Sequence, residues 1–357
     1  MIEEDLRAAF ARHEPLTPAT GPLRAAIDRT ATTVRRRRRR RTAIGAACLV
    51  LLTVAGFGSV RLVDSVRDPR PAHLLATPPG GAPAGAMNVL LLGVDLGSGP
   101  EPPRADSVLL VHVPADRSRL YLLSIPRDLE AAVPGHGLDK ISAVFSFGSH
   151  REGRRPDLGA GYHLTSQAVA GLTGVRVDAG AVLTYPVLRK VTDSVGGVEL
   201  CLPSEVYSMH TGRTYRAGCQ HLGGAAAVDL LRQRYRLADG ARDRDRNAQR
   251  FAAALLRRVD ERGVLHDPVR LSRLAAEIGP DLTLASAGGS LHEWLALVPQ
   301  LKSTEVVGVN LPVVPADGQD YNFDPDPAAA PELLAALRAD RLGAWVAAHP
   351  DRVTGLR

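Results

Sequence analysis

Several kinds of active-site chemistry are missing from this 357-residue chain. It has no H-E-x-x-H, no C-x-x-C and no G-x-S-x-G, and no lysine follows a suitable glycine to complete a Walker A loop. Zinc chemistry, a nucleophilic serine elbow and nucleotide hydrolysis therefore have no support. The histidines, His112, His136 and His210 among them, are scattered and read as structural or solvent-exposed. Lysine is almost missing: 41 of the 44 basic residues are arginine, which we read as GC-rich codon bias rather than chemistry. No internal repeat is visible. With 45% hydrophobic and 23% charged residues, neither global disorder nor a fibrous repeat fits.

Excess charge is missing from most of the chain as well. Residues 1–60 hold 11 arginines and 5 acids, which accounts for the whole net charge of +6. The rest carries 33 basic and 33 acidic side chains. A nucleic-acid partner is thereby disfavoured, because such binders spread basic charge over the folded domain. Seven of the arginines are consecutive, at 35–41, and the 19 residues Thr42–Val60 that follow carry no charge. As a helix they would reach about 28 Å, close to the thickness of a hydrocarbon core. About 40 residues precede the run, too many for a cleaved leader. The expectation is one permanent transmembrane helix, with the basic tail (1–41) cytoplasmic by the positive-inside rule and the remainder extracytoplasmic. The localisation expected is thus the cell membrane, single-pass.

Cys48 falls in the expected span, leaving Cys201 and Cys219 outside. An isolated pair in an oxidising compartment is a disulfide candidate; two unpaired small core residues is the other reading. Residues 61–86 are rich in Pro, Gly and Ala and read as a tether. Order begins at Met87. Three short apolar runs at 87–94, 107–113 and 119–125 read as buried strands. Helical patterns follow at 163–174, 186–197, 223–231 and 245–262, near 267–278 and 289–301, and finally at 326–339. Further strands fall at 179–185, 198–203 and 304–313. The fold expected is α/β, a central mixed sheet covered by helices on both faces, over 87–342, with 343–357 as a C-terminal tail.

If the first three strands form an antiparallel meander, Asp95 leaves the first, Asp106 enters the second, and Arg127 and Asp128 follow the third. All four then meet at one sheet edge, with Arg104 on the connecting loop. Two carboxylates and arginines suit a divalent cation and a phosphorylated ligand, since Mg²⁺ is commonly held by one or two carboxylates plus phosphate oxygens. Guanidinium groups grip phosphate in a bidentate fork. A second basic cluster spans 232–250. If the chain becomes extended after Leu231, Arg232 and Arg234 share a side; a solvated, salt-bridged face is the plainer reading.

The ordered set NVLLLGVD, RADSVLLVHVPADRSRLYLLSIPRDL, PGHGLDKISAVFSFG, LTGVRVDAGAVLTYPVLRKVTDSVGGVEL and HTGRTYRAGCQHLGGAAAVDLLRQRY resembles the LytR-CpsA-Psr family of bacterial cell-envelope proteins. The resemblance is dense over 87–262 and looser to about 340. It implies a phosphotransferase that moves a glycopolymer from a polyprenyl-pyrophosphate carrier to peptidoglycan, forming a phosphodiester at the membrane. By motif position, Asp95 and Asp106 would hold Mg²⁺ (or Mn²⁺). Arg104, Arg127, Arg232, Arg234 and Arg244, with Lys140 and Gln249, would bind the pyrophosphate, and the prenyl tail would lie in an apolar groove between sheet and helices. Asp95, Arg127, Arg232 and Arg234 are the expected catalytic residues, Asp95 also as proton acceptor. A lipid-pyrophosphate hydrolase or binding protein of reduced activity is the alternative, and a membrane-anchored transcriptional regulator is a third reading. The sequence departs from the family pattern at Ala241, where an acid is expected and Asp243 is the candidate substitute, and at Asn247 and Ala248, which stand where Arg and Gln are expected.

Overall fold

The computed structural model describes residues 85–97, 102–264, 281–286, 305–316 and 319–356, with isolated positions between 264 and 281. The basic tail, the membrane span expected at 42–60 and nearly all of the tether expected at 61–86 lie outside the described residues, as do the helix expected at 289–301 and most of that at 267–278. Among the described residues no helix is long and apolar enough to cross a membrane.

In chain order, β1 (Met87–Asp95), β2 (Arg104–Val113) and β3 (Arg119–Ile125) lead into a small hairpin, β4 (Glu130–Val133) and β5 (Gly137–Lys140). Helices α1 (Ile141–Ser149) and α2 (Leu158–Thr173) follow, then β6 (Ala179–Thr184) and α3 (Tyr185–Ser194). A satellite of β7 (Val198–Leu202), β8 (Val206–Tyr207), β9 (Thr214–Tyr215) and β10 (Gly218–Leu222) precedes α4 (Gly224–Arg232) and the long α5 (Gly240–Glu261). The chain continues with β11 (Thr283–Ser286), β12 (Glu305–Asn310), β13 (Val313–Ala316), β14 (Gln319–Pro325), α6 (Ala330–Arg338), α7 (Leu342–Ala348) and β15 (Val353–Thr354).

Seven strands form the main sheet in the order β11-β6-β1-β2-β3-β12-β15. The β1–β2–β3 meander is antiparallel as expected. β6 joins β1 in parallel and β12 joins β3 in parallel, so the sheet is mixed. Because side chains alternate across a strand, the continuous apolar runs serve two layers at once. Leu90, Leu92, Leu110 and Leu123 face one side and pack against Phe145 of α1, Val169 of α2, Leu333 of α6 and Trp345 of α7. Each fully buried leucine there contributes roughly 2 kcal/mol or more. Val89, Leu91, Leu109, Val111 and Leu122 face the other side, under α3 and α5. Helices thus cover both faces.

Close approach fixes one of these pairings. A Cβ on Gly180 of β6 would overlap the Leu90 carbonyl and the Tyr162 hydroxyl, so only glycine lets β6 lie against β1. His112 is structural, as expected: it is buried between Asn88 Oδ1 (2.8 Å) and Asp340 Oδ1 (2.9 Å).

The C-terminal end corrects an expectation. Residues 343–357 are not a tail: α7 buries Trp345, β15 pairs with β12, and Leu356 packs beside Leu109 and Leu122. The run Leu342–Ala348 is too short to show helical periodicity, and a two-residue strand leaves no sequence pattern. Cys201 and Cys219 are directly opposite on β7 and β10 and form the disulfide. Neither is a core residue, which disposes of the other reading.

Candidate functional site

The meander and the two parallel additions bring their chain ends to one edge of the sheet. β1 ends at Asp95, β2 starts at Arg104, and Arg127 and Asp128 follow β3. In the parallel register Val94 stands beside Thr184, so the first residue of α3, Tyr185, comes level with Asp95. Arg104 is the first residue of β2 rather than part of the loop, exposed and opposite Asp95.

A β-bulge aims Asp106. Gly93 pairs with Ser107 and Val94 with Ala105, leaving Asp106 without a cross-strand partner. In a regular strand Asp106 would point into the core with Val108. The extra residue reverses that parity, so Ala105 enters the core while Asp106 and Ser107 both face the helix-covered side. Gly93 completes the arrangement, because a Cβ there would press on Ser107 Cβ at 3.1 Å.

Arg127 ion-pairs with Asp106 through Nη1, and its Nε lies 3.5 Å from Asp128. Lys140 reaches Asp128 at 3.1 Å and is joined to the centre through it. Tyr185 places its hydroxyl 3.3 Å from the other oxygen of Asp106. Arg232, at the end of α4, lies over the Tyr185 ring (5.1 Å) and bonds Asp95 at 3.3 Å. Burial first, then the charges of Asp106 and Asp95, push the Tyr185 phenol well above its usual value, against the pull of Arg244 and Arg232. It is a neutral donor at any ordinary pH.

Beneath these groups lies a cavity of about 400 Å³ between the sheet and α3 and α5. Asp106, Tyr185 and Arg244 form its polar head. Its body is apolar, with Leu91, Leu109, Val111, Leu122, Phe251 and Leu255 in the wall. Arg244 is 5% exposed, and its Nε and Nη2 have no hydrogen-bond partner among the described residues. Its nearest acid is Asp245 at 3.8 Å. Arg127 Nε is likewise buried without a hydrogen bond. Buried guanidinium N–H groups left unpaired are costly; here the two of Arg244 belong to a residue that lines the head of an apolar cavity, and Arg127 reaches that head through Asp106.

Several expected members stand elsewhere. α4 continues through Arg232, so the segment is not extended from Leu231, and only Gln233 turns extended. Arg234 then sits over the Tyr235 ring (4.7 Å) and bonds its hydroxyl. Gln249 is fully buried and donates to the carbonyls of Leu122 (3.0 Å) and Val309 (2.8 Å). It ties α5 to β3 and β12 and is not among the residues that line the cavity. Asp243, the candidate substitute for the acid expected at 241, pairs with Arg246 and accepts from the Asp239 amide. Asn247 is buried against Arg250, and Ala248 lines the cavity, where a longer side chain would occupy its volume.

Two contributors carried no signal that was read from the sequence. Tyr185 is one. Gln233 is the other: buried between the two arginines, it accepts from the Met209 amide and donates to Ser208 Oγ and the Asp229 carbonyl. Asp229 in turn accepts from Ser208, Thr211 and Tyr215. Burial pushes its carboxyl up, but these hydrogen bonds outweigh that and hold it below the usual range. The network fixes the end of α4, and with it Arg232.

Among the described residues no three His, Cys, Asp or Glu side chains are arranged to hold a metal unaided. Asp95 and Asp106 at one edge supply two carboxylates, a donor set that fits Mg²⁺ only when phosphate oxygens and water complete the shell.

The sequence profile of the LytR_cpsA_psr family matches residues 66–336. The chain belongs to the LytR-CpsA-Psr family. Among relatives, it is 30% identical over 277 residues to the cell wall biosynthesis protein LcpA of Corynebacterium glutamicum, covering 68% of this chain and 53% of LcpA. It is also 30% identical over 172 residues to TagU of Oceanobacillus iheyensis, named a polyisoprenyl-teichoic acid–peptidoglycan teichoic acid transferase (48% and 51% covered). The chain thus spans about half the length of these relatives. A solved LytR-CpsA-Psr structure, YwtF (TagT) with bound octaprenyl pyrophosphate, superposes with a TM-score of 0.54 at 20% identity, covering 72% of this chain and 90% of that one. At that identity it speaks for the fold alone.

Proposed function

We propose that this protein transfers a phosphoglycan from a polyprenyl-pyrophosphate carrier to peptidoglycan in cell wall assembly. The observation that carries the reading is the buried Arg244 guanidinium, with two N–H groups that lack a hydrogen-bond partner among the described residues at the head of the apolar cavity, together with the buried Arg127 paired to Asp106 of that head. A diphosphate would satisfy those donors, and a prenyl chain would fill the space behind them. Few other ligands ask for both. Family membership and the names of the relatives point the same way.

In this mechanism Arg127 and Arg244 hold the diphosphate oxygens by charge-assisted hydrogen bonds. Arg232 is on the edge beside Asp95, where it stabilises charge developing on the transferred phosphoryl group. A muramic-acid hydroxyl attacks the phosphorus that carries the sugar, and its proton passes to Asp95. The new P–O bond forms as the bond to the lipid phosphate breaks, and lipid monophosphate leaves. Mg²⁺, held by Asp95 and Asp106, would neutralise charge on the bridging phosphates. No covalent nucleophile is needed, because phosphoryl transfer relies chiefly on positioning and electrostatics. A membrane helix at 42–60 would keep the domain outside the cell yet beside a substrate confined to the bilayer.

The test is a transfer assay with the full chain in nanodiscs, a lipid-pyrophosphate-linked glycan and peptidoglycan acceptor. A glycan joined through a Mg²⁺-dependent phosphodiester, abolished by Arg127→Ala, is expected. Release of free phosphate without any joined glycan would instead establish the hydrolase.

A further inference from the structure

Tyr185 borders two cavities at once. Its ring closes the head of the apolar one, and it also lines an open polar groove of about 900 Å³ along α3 and α4 with Arg189, His210 and Arg232. Among the described residues no other side chain is shared by the two. Its hydroxyl donates to Asp106, on β2, and its ring face carries Arg232, on α4. These partners lie on elements that are remote in sequence and reach the edge independently. We propose that Tyr185 is a positioning residue that sets the separation of Asp106 and Arg232 across the transfer centre. This rests on the diphosphate reading given above.

The geometry supplies the reason. Asp106 has two oxygens; one is taken by Arg127 and the other by Tyr185, so its carboxylate plane is fixed from both sides. Arg232 is 39% exposed, and a long side chain with that freedom loses entropy whenever it is held. The Tyr185 face restricts it from below, and Asp95 restricts it from the tip. A Phe at 185 would keep the ring and lose the hold on Asp106. A Leu would lose both.

The two functions of one side chain are separable by double-mutant cycles. Affinity for geranylgeranyl pyrophosphate would be measured on the full chain in nanodiscs at fixed Mg²⁺. At 3.3 Å the hydroxyl bond is long, so Tyr185→Phe is expected to weaken binding about threefold. That loss should vanish in an Asp106→Ala background, because coupling appears only between residues that interact. Tyr185→Leu should cost about threefold more than Tyr185→Phe, and this extra loss should vanish with Arg232→Gln but persist with Asp106→Ala. Equal losses in every background, or none at all, would reduce Tyr185 to a wall residue and overturn the inference. If the wild-type chain fails to bind the probe, the proposed function falls, and this inference with it. If the wild type binds and the cycles show no coupling, only the inference falls.

Discussion

Arg232 Nη2 lies 3.3 Å from Asp95 Oδ2, joining the end of α4 to the end of β1 across 137 positions of sequence. Both side chains are more than a third exposed, so the pair contributes at most about 1 kcal/mol to folding. Arg232→Gln should therefore leave the melting temperature nearly unchanged. It should weaken polyprenyl-pyrophosphate binding by at least about tenfold, the worth of a hydrogen bond to a charged group. Thermal melts and a binding titration on the same preparation check both halves.

Arg244 makes the opposite combination. It is buried with two unpaired nitrogens, so its charge costs folding energy that only a bound anion repays. Arg244→Met is expected to abolish pyrophosphate binding without lowering the melting temperature at pH 6. Asp245, left without its neighbour, takes up a proton there instead of remaining a buried anion. A large loss of stability at that pH would show that Arg244 is primarily structural.

Burial pushes the Asp245 carboxyl up to about 7; Arg244 opposes the shift and Asp128 adds to it. The folded state then holds this proton more tightly than the unfolded state does. The associated stability is complete below the ordinary carboxylate value near 4 and is lost as pH rises through about 7. Asp245→Asn should raise the melting temperature at pH 8, and the difference from wild type should shrink steadily as the pH falls towards 4. Melts across that range read it directly; a difference independent of pH would contradict the assignment.

Gln249 gives a control with the reverse signature. Its amide serves two buried strand carbonyls, so Gln249→Leu should cost about 2 kcal/mol or more by leaving acceptors unpaired. Binding by the folded fraction should stay near wild type. Loss of binding with no change in stability would return Gln249 to the pyrophosphate site.

Much of this arrangement is readable from the chain alone, and the reasons are local. Three apolar runs bounded by Pro, Gly and Asp define β1, β2 and β3, and their antiparallel order alone sends Asp95, Asp106 and Arg127 to one edge. What was not legible depends on pairing between distant elements. Tyr185 reads as a residue before a helix-starting proline until β6 is laid beside β1. The motif position of Gln249 suggested a ligand contact, but its position on α5 turns it towards β3 and β12. The bulge at Asp106 leaves no mark in composition, although Gly93 opposite it is the one residue that hints at crowding. Arg232 and Arg234 share a side only if the chain is extended after Leu231, and the helix continues through Arg232.

The proposed transfer depends on one diphosphate binding between Arg127 and Arg244 with its prenyl chain in the cavity behind. The decisive measurement is a crystal structure of residues 87–357 soaked with geranylgeranyl pyrophosphate. Phosphate density within hydrogen-bonding distance of Arg244 Nε and Arg127 Nε is expected, with the chain running past Leu109 and Phe251. Phosphates bound elsewhere, or an empty cavity beside an ordered diphosphate, would contradict it.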